Sequence, residues 1–168
     1  MSMPAAKQEE CAIIAADELI AKALATIPVI ERLYARVEKH VAEKVSYHQK
    51  ISSDLLEREQ HITHGLAWLA TTIQAMRECL NSASRLIEEN KFGPVESLIT
   101  QIGFGEYLAQ VFHGIAMSQG EIIRLSDFGL SVQTILQAME GPVEAMLAIG
   151  NTPENRLALA QYLTSDHS

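Results

Sequence analysis

From Gln8 to Ile27 the apolar residues Ile13, Ala16, Ile20, Leu24 and Ile27 recur three or four apart. That spacing is the stripe of an amphipathic helix and not the alternation of a strand. Pro28 restarts the pattern, and because helices accept proline in their first turn, a second helix is predicted from there. Ile30, Leu33, Val37, Val41 and Val45 line one of its faces, while Glu31, Arg32, Arg36, Glu38, Lys39, Glu43 and Lys44 mix charges on the other as a solvated surface does.

Ser52, Ser53 or Asp54 offers an oxygen to the free N–H groups of a third helix. Its seam is the most regular in the chain: Ile62, Leu66, Leu69, Ile73, Met76, Leu80, Ala83 and Ile87 step by four and three over about three and a half heptads. "NKFGP" stops it. One straight helix from Leu55 to Asn90 would extend about 54 Å, so it is expected to lie along another long helix, in the same chain or in a second subunit. Beyond Pro94, "VESLITQIGFGEYLAQVFHGIA" again reads helical, with Leu98, Ile102, Leu108, Val111, Phe112 and Ile115 broadly on one side. The less regular "MSQGEIIRLSDFGLS" leads to "SVQTILQAME", which Gly141 and Pro142 stop, and "GPVEAMLAIG" reads as a brief turn of helix. "NTPENRLALAQYLT" carries Asn151 or Thr152 as cap and Pro153 in its first turn. With no alternating run long enough for a strand, the expectation is an all-α, antiparallel helical bundle: one or two long helices, shorter C-terminal helices, and a single domain over residues 1–168.

Composition agrees. The chain has 168 residues, 48% hydrophobic and only 5% aromatic, a helix-friendly balance in a size able to bury a core without staples. A net charge of -8 repels phosphate backbones and anionic lipid headgroups, so no nucleic-acid or membrane-surface role is expected. The apolar runs are broken by charges such as Asp17, Glu18 and Lys22, and no basic leader precedes an apolar run, which points to a cytoplasmic protein. Cys11 and Cys79 stand far apart with no metal spacing and read as reduced, apolar residues.

The candidate chemistry is thin. In "EREQHITHG", Glu57, His61 and His64 lie at helical spacing, but the chain has no Glu-x-x-His and no His-Glu-x-x-His. The plainer reading has His61 flanking the seam and His64 beside Trp68, one turn along. No metal ligands and no catalytic residues are assigned. The stretch "GFGEYLAQVFHGIAMSQG" lacks the third glycine of a dinucleotide loop, places Glu106 where a phosphate would be repelled, and has no G-K-[ST]. Gly103, Gly105 and Gly114 instead mark close helix contact or a kink. Around them Glu106, Tyr107, Gln110, Ser118, Gln119, Glu121 and Arg124 form a polar constellation, with Glu121 and Arg124 spaced to pair across a helical turn. These residues, with Trp68, are the candidate docking or packing face; any cofactor-binding residue is left unknown.

The run from "HGLAWLATTIQAM" through "IGFGEYLAQ" and "GIAMSQGEIIR", followed by "GNTPENR", resembles the helical N-terminal extension of methylsuccinyl-CoA-dehydrogenase-type members of the acyl-CoA dehydrogenase family, over about residues 60–163. The resemblance implies an accessory domain of a flavoprotein whose catalytic part oxidises acyl-CoA thioesters using FAD and a carboxylate base. No segment resembling that catalytic part is present up to Ser168, so no catalytic residue carries over and FAD is expected outside this chain. A catalytic domain or subunit is the expected partner. The layout is also similar to the family's C-terminal helical domain, which implies self-association through long helices. The alternatives from the residues themselves are an independent bundle holding a metal, flavin or acyl ligand, or a free-standing interaction module.

Overall fold

Burial every third or fourth residue dictates the longest element. Leu19, Ala23, Ile27, Ile30, Leu33, Val37, Val41 and Val45 are the buried stripe of α1, Ala16–Val45, a helix of 30 residues and about 45 Å. The structure, a computed structural model, describes residues 14–165, so Cys11 and His167 fall outside the described residues. The two helices expected on either side of Pro28 are one. Proline denies Leu24 its carbonyl's partner, but both residues lie on the exposed side, where water can take the freed carbonyl. The two stripes run in phase across Pro28, so burial on the inner face holds the helix together.

The next turns reverse the chain. β1, Ser46–Tyr47, pairs antiparallel with β2, Lys50–Ile51, across His48 and Gln49, both at positive φ. Ser52 N–H donates to the Val45 carbonyl at 2.9 Å, and Ser52 caps α2, Ser53–Arg58. The single long helix expected from Leu55 is broken at Glu59 (φ -101°, ψ 28°), after which α3 runs Gln60–Glu88. α2 buries no residue, so no apolar stripe keeps it collinear with α3, and the short hairpin ties it to the end of α1.

α3 lies back along α1. Ile62, Leu69, Ile73, Met76, Leu80 and Ala83 of the expected seam are buried, used within the chain by α1 and α4. Arg77 reaches Glu31 of α1 at 2.6 Å, an exposed pair worth at most about 1 kcal/mol. α4, Pro94–His113, begins with proline in its first turn and the Glu96 carboxylate accepting from Gly93 N–H at 2.9 Å. It ends earlier than expected. Gly114 at φ 129° turns the chain out of the helix, and Ile115–Ala116, which the sequence places in it, become β3, paired antiparallel with β4, Ile122–Ile123.

Leu125 and Phe128 anchor the following loop in the core. Three short helices close the described chain: α5, Val132–Met139; α6, Pro142–Ile149; and α7, Pro153–Ser165, capped by Thr152, whose hydroxyl accepts from Asn155 N–H at 3.1 Å. α6 and α7 both pack on α4, around fully buried Phe104, Leu108, Val143 and Met146. The fold is all-α; among the described residues the only strands are the two small antiparallel pairs.

Candidate functional site

The glycine-rich stretch and the "GNTPENR" segment meet. On α4, a Cβ added to Gly105 would lie 2.8 Å from Gly150 Cα and closer still to the Asn151 amide nitrogen. The backbone leaving α6 therefore rests directly on α4, where only glycine leaves room. The next residue, Glu106, accepts hydrogen bonds from Asn151 Nδ2 and from Gln110 Nε2, with Arg156 Nη2 at 3.9 Å. Arg156 in turn donates from Nε to Asn151 Oδ1.

Beneath this exposed set lies a buried one that sequence reasoning missed. Asn155 Nδ2 donates to the carbonyls of Ile149 and Gly150 at 2.8 and 2.6 Å, and to Gln101 Oε1 at 3.4 Å. Gln101 Nε2 donates to Ser97 Oγ at 3.1 Å, whose hydroxyl donates to the Ile14 carbonyl at 3.3 Å. Gln101 is fully buried and Asn155 and Ser97 nearly so, so satisfying these groups is required for the joint to close. A signal was available: Gln101 falls between Leu98 and Phe104 on the apolar side of α4, where an amide needs a partner.

The other candidate residues lie apart from this joint. Gly103 points at Cys79 of α3, its added Cβ 3.8 Å from Sγ. Tyr107 is half-buried against the core. At the helix end, a Cβ on Gly114 would meet Ile122 Cγ2 at 2.7 Å. Ser118 and Gln119 form a single 3-10 turn between β3 and β4. That hairpin sits on α3 at Gly65, where an added Cβ would be 2.5 Å from Ile123 Cγ1. Glu121 stands 3.8 Å from His61 Nδ1, and the turn pairing of Glu121 with Arg124 does not form, because the two residues flank β4 and do not lie on a helix. Arg124 uses its backbone N–H instead, donating to Asp127 Oδ2 at 2.7 Å.

Two turns along α3 from His61, Trp68 is 37% exposed and its indole N–H donates to His64 Nε2 at 3.0 Å. Accepting there places the His64 proton on Nδ1. Burial pushes the Cys79 thiol up, and burial followed by the nearby Glu38 carboxylate pushes Tyr34 up. Neither residue belongs to the constellation. Among the described residues, no group of three His, Cys, Asp or Glu is placed to hold a metal ion, and no helix is long and apolar enough to cross a membrane. The glycine stretch does not fit a flavin's phosphates either, since the chain's own backbone fills the space above Gly105 and a carboxylate stands beside it. Gly105, Glu106 and Gln101 of α4, with Asn151, Asn155 and Arg156, join α4 to α6 and α7.

No family model matches the chain. Over 150 residues, 89% of its length, it is 38% identical to the (2S)-methylsuccinyl-CoA dehydrogenase of Cereibacter sphaeroides. The chain spans 27% of that relative's length. The resemblance read from the sequence motifs is borne out, and the matching stretch is longer than the one that first carried it.

Proposed function

We propose that this chain is an accessory helical domain of an acyl-CoA-dehydrogenase-like flavoprotein, packing against or covering the part that oxidises an acyl-CoA thioester with FAD. The observation that carries the reading is the α4–α7 joint. Two of the segments on which the resemblance rests, "GFGE" and "GNTPENR", spend their glycines, amides and charges on one another. In this reading such segments serve helix packing, and the dehydrogenation is carried elsewhere in the protein. A match confined to 27% of the relative supports the same division of labour, with flavin and catalytic base in the remainder.

In this reading the docking face is the β3–β4 edge, with exposed Ser118, Glu121 and Arg124, together with the exposed indole of Trp68 on α3. The test uses the relative with its matching region removed, prepared with flavin bound as judged by absorbance. This chain is expected to co-elute with it and to raise the rate at which methylsuccinyl-CoA bleaches the flavin. A flavin-loaded remainder that neither binds the chain nor responds to it would sink the proposal.

A further inference from the structure

Among the described elements only α1 precedes the β1–β2 hairpin, and the helices it packs against in the bundle, α3, α4, α5 and α6, all follow it. Residues 46–59 are therefore the one described connection between a 30-residue helix and the core that covers its apolar stripe.

That connection is poorly secured. Its turn holds His48 at φ 48° and Gln49 at φ 62°. A two-residue hairpin loop asks for positive φ at both central positions, which Asn-Gly accepts best. For a residue with a Cβ the left-handed region costs roughly five- to thirty-fold in equilibrium constant. Against this stand two strand pairings and the Ser52 N–H donating to the Val45 carbonyl at 2.9 Å. Tyr47 and Ile51 are each 68% exposed, and α2 buries no residue, so opening the segment uncovers no core.

We propose that residues 46–59 are a hinge across which two copies of this chain exchange α1. A released α1 exposes Leu19, Ile30, Leu33 and Val37, and the surface complementary to that stripe is the one it leaves behind. A second copy opened in the same way supplies that surface, so α1 keeps its packing on the rest of the bundle while the left-handed turn is given up in both chains. Extended, the hinge spans about 45 Å, the length of α1, which is enough to reach a neighbouring bundle. The closed chain has the advantage of an effective concentration in the millimolar range. A fivefold relief of strain in each chain offsets it by about 25-fold for the pair and brings exchange below about 100 µM. The exchange rests on the fold alone and is independent of the proposed accessory role.

Unfolding the chain in urea, refolding it at about 200 µM and separating the products by size exclusion, with masses from sedimentation, tests the hinge. A dimer is expected, and after dilution it returns to monomer no faster than the same protein unfolds, because α1 has to leave its core. His48→Asn with Gln49→Gly relieves the closed turn, so it weakens the dimer about 25-fold and raises the Tm of the monomer. Gln49→Pro cannot reach φ 62° and makes the dimer the main product; should that variant fail to fold, the double variant decides alone. A chain that refolds only to monomer overturns the proposal. So does a dimer that dissociates faster than the chain unfolds, or one as abundant in the double variant as in the parent.

Discussion

Two glycines two residues apart on α4 should respond to alanine with opposite signs. Gly105→Ala gains about 1 kcal/mol of helix propensity, but its Cβ arrives 2.8 Å from Gly150 Cα and nearer to the Asn151 nitrogen. Both are backbone atoms, so no rotamer change relieves the overlap and the α6–α7 connection must lift. Overpacking of this kind costs about 1–3 kcal/mol. Lifting also pulls Gly150 and Asn151 from Asn155 and Glu106, at about 1 kcal/mol for each bond lost. The net expectation is destabilisation by about 2–4 kcal/mol, or roughly 4–16 °C in Tm for a chain of this size. Gly103→Ala places its Cβ 3.8 Å from Cys79 Sγ, an ordinary contact, and should stabilise by about 0.5–1 kcal/mol. Urea denaturation of both variants against the parent measures the two signs directly. A Gly105→Ala protein as stable as the parent would refute the close approach of α4 and Gly150, and with it the joint.

Asn155→Ala removes the donor that satisfies two carbonyls and Gln101; a loss of about 2–3 kcal/mol is expected by the same denaturation, and a loss below about 0.5 would place that network in water. Pro28→Ala restores an N–H to the Leu24 carbonyl inside α1 and should stabilise by about 1–2 kcal/mol, with unchanged or lower stability refuting an uninterrupted helix. Cys79 is held above the ordinary thiol value of 9.0 by burial, so its contribution to stability is fully present below that pH and is lost as pH rises through the higher folded value. Cys79→Ala should therefore flatten the alkaline fall in stability above about pH 9, and an unchanged slope would count against burial as the cause.

The apolar periodicity was a sufficient guide wherever one face is buried along a whole helix. Ile62 to Ala83 and Ile30 to Val45 lie where their spacing puts them because the core reads the same 3.6-residue period. It failed where a local rule met a tertiary one. Proline is a sound helix-start signal, yet at Pro28 two in-phase stripes outweigh one missing hydrogen bond on a wet face. At Glu59 the opposite happened: apolar Leu55 and Leu56 extended the pattern, but nothing buries them deeply, so α2 was free to bend away. At Ile115 the hydrophobic spacing continued past Gly114, while the backbone there had left the helix for a two-residue strand pair.

The joint illustrates the other limit. Gly105 and Gly150 are 45 residues apart in sequence, and each taken alone is a glycine in or near a helix, with no property that names the other. What a sequence can show is that an unusual residue sits in a demanding place: Gln101 on an apolar face, Glu106 beside glycines, Asn151 and Arg156 around a proline. What it cannot show is that these demands are answered mutually, Gln101 by Asn155 and Glu106 by Asn151 and Arg156. Changing Gln101 or Asn155 leaves a buried amide unsatisfied, and adding a side chain at Gly105 breaks a close backbone contact. These segments therefore specify how α4 meets α6 and α7.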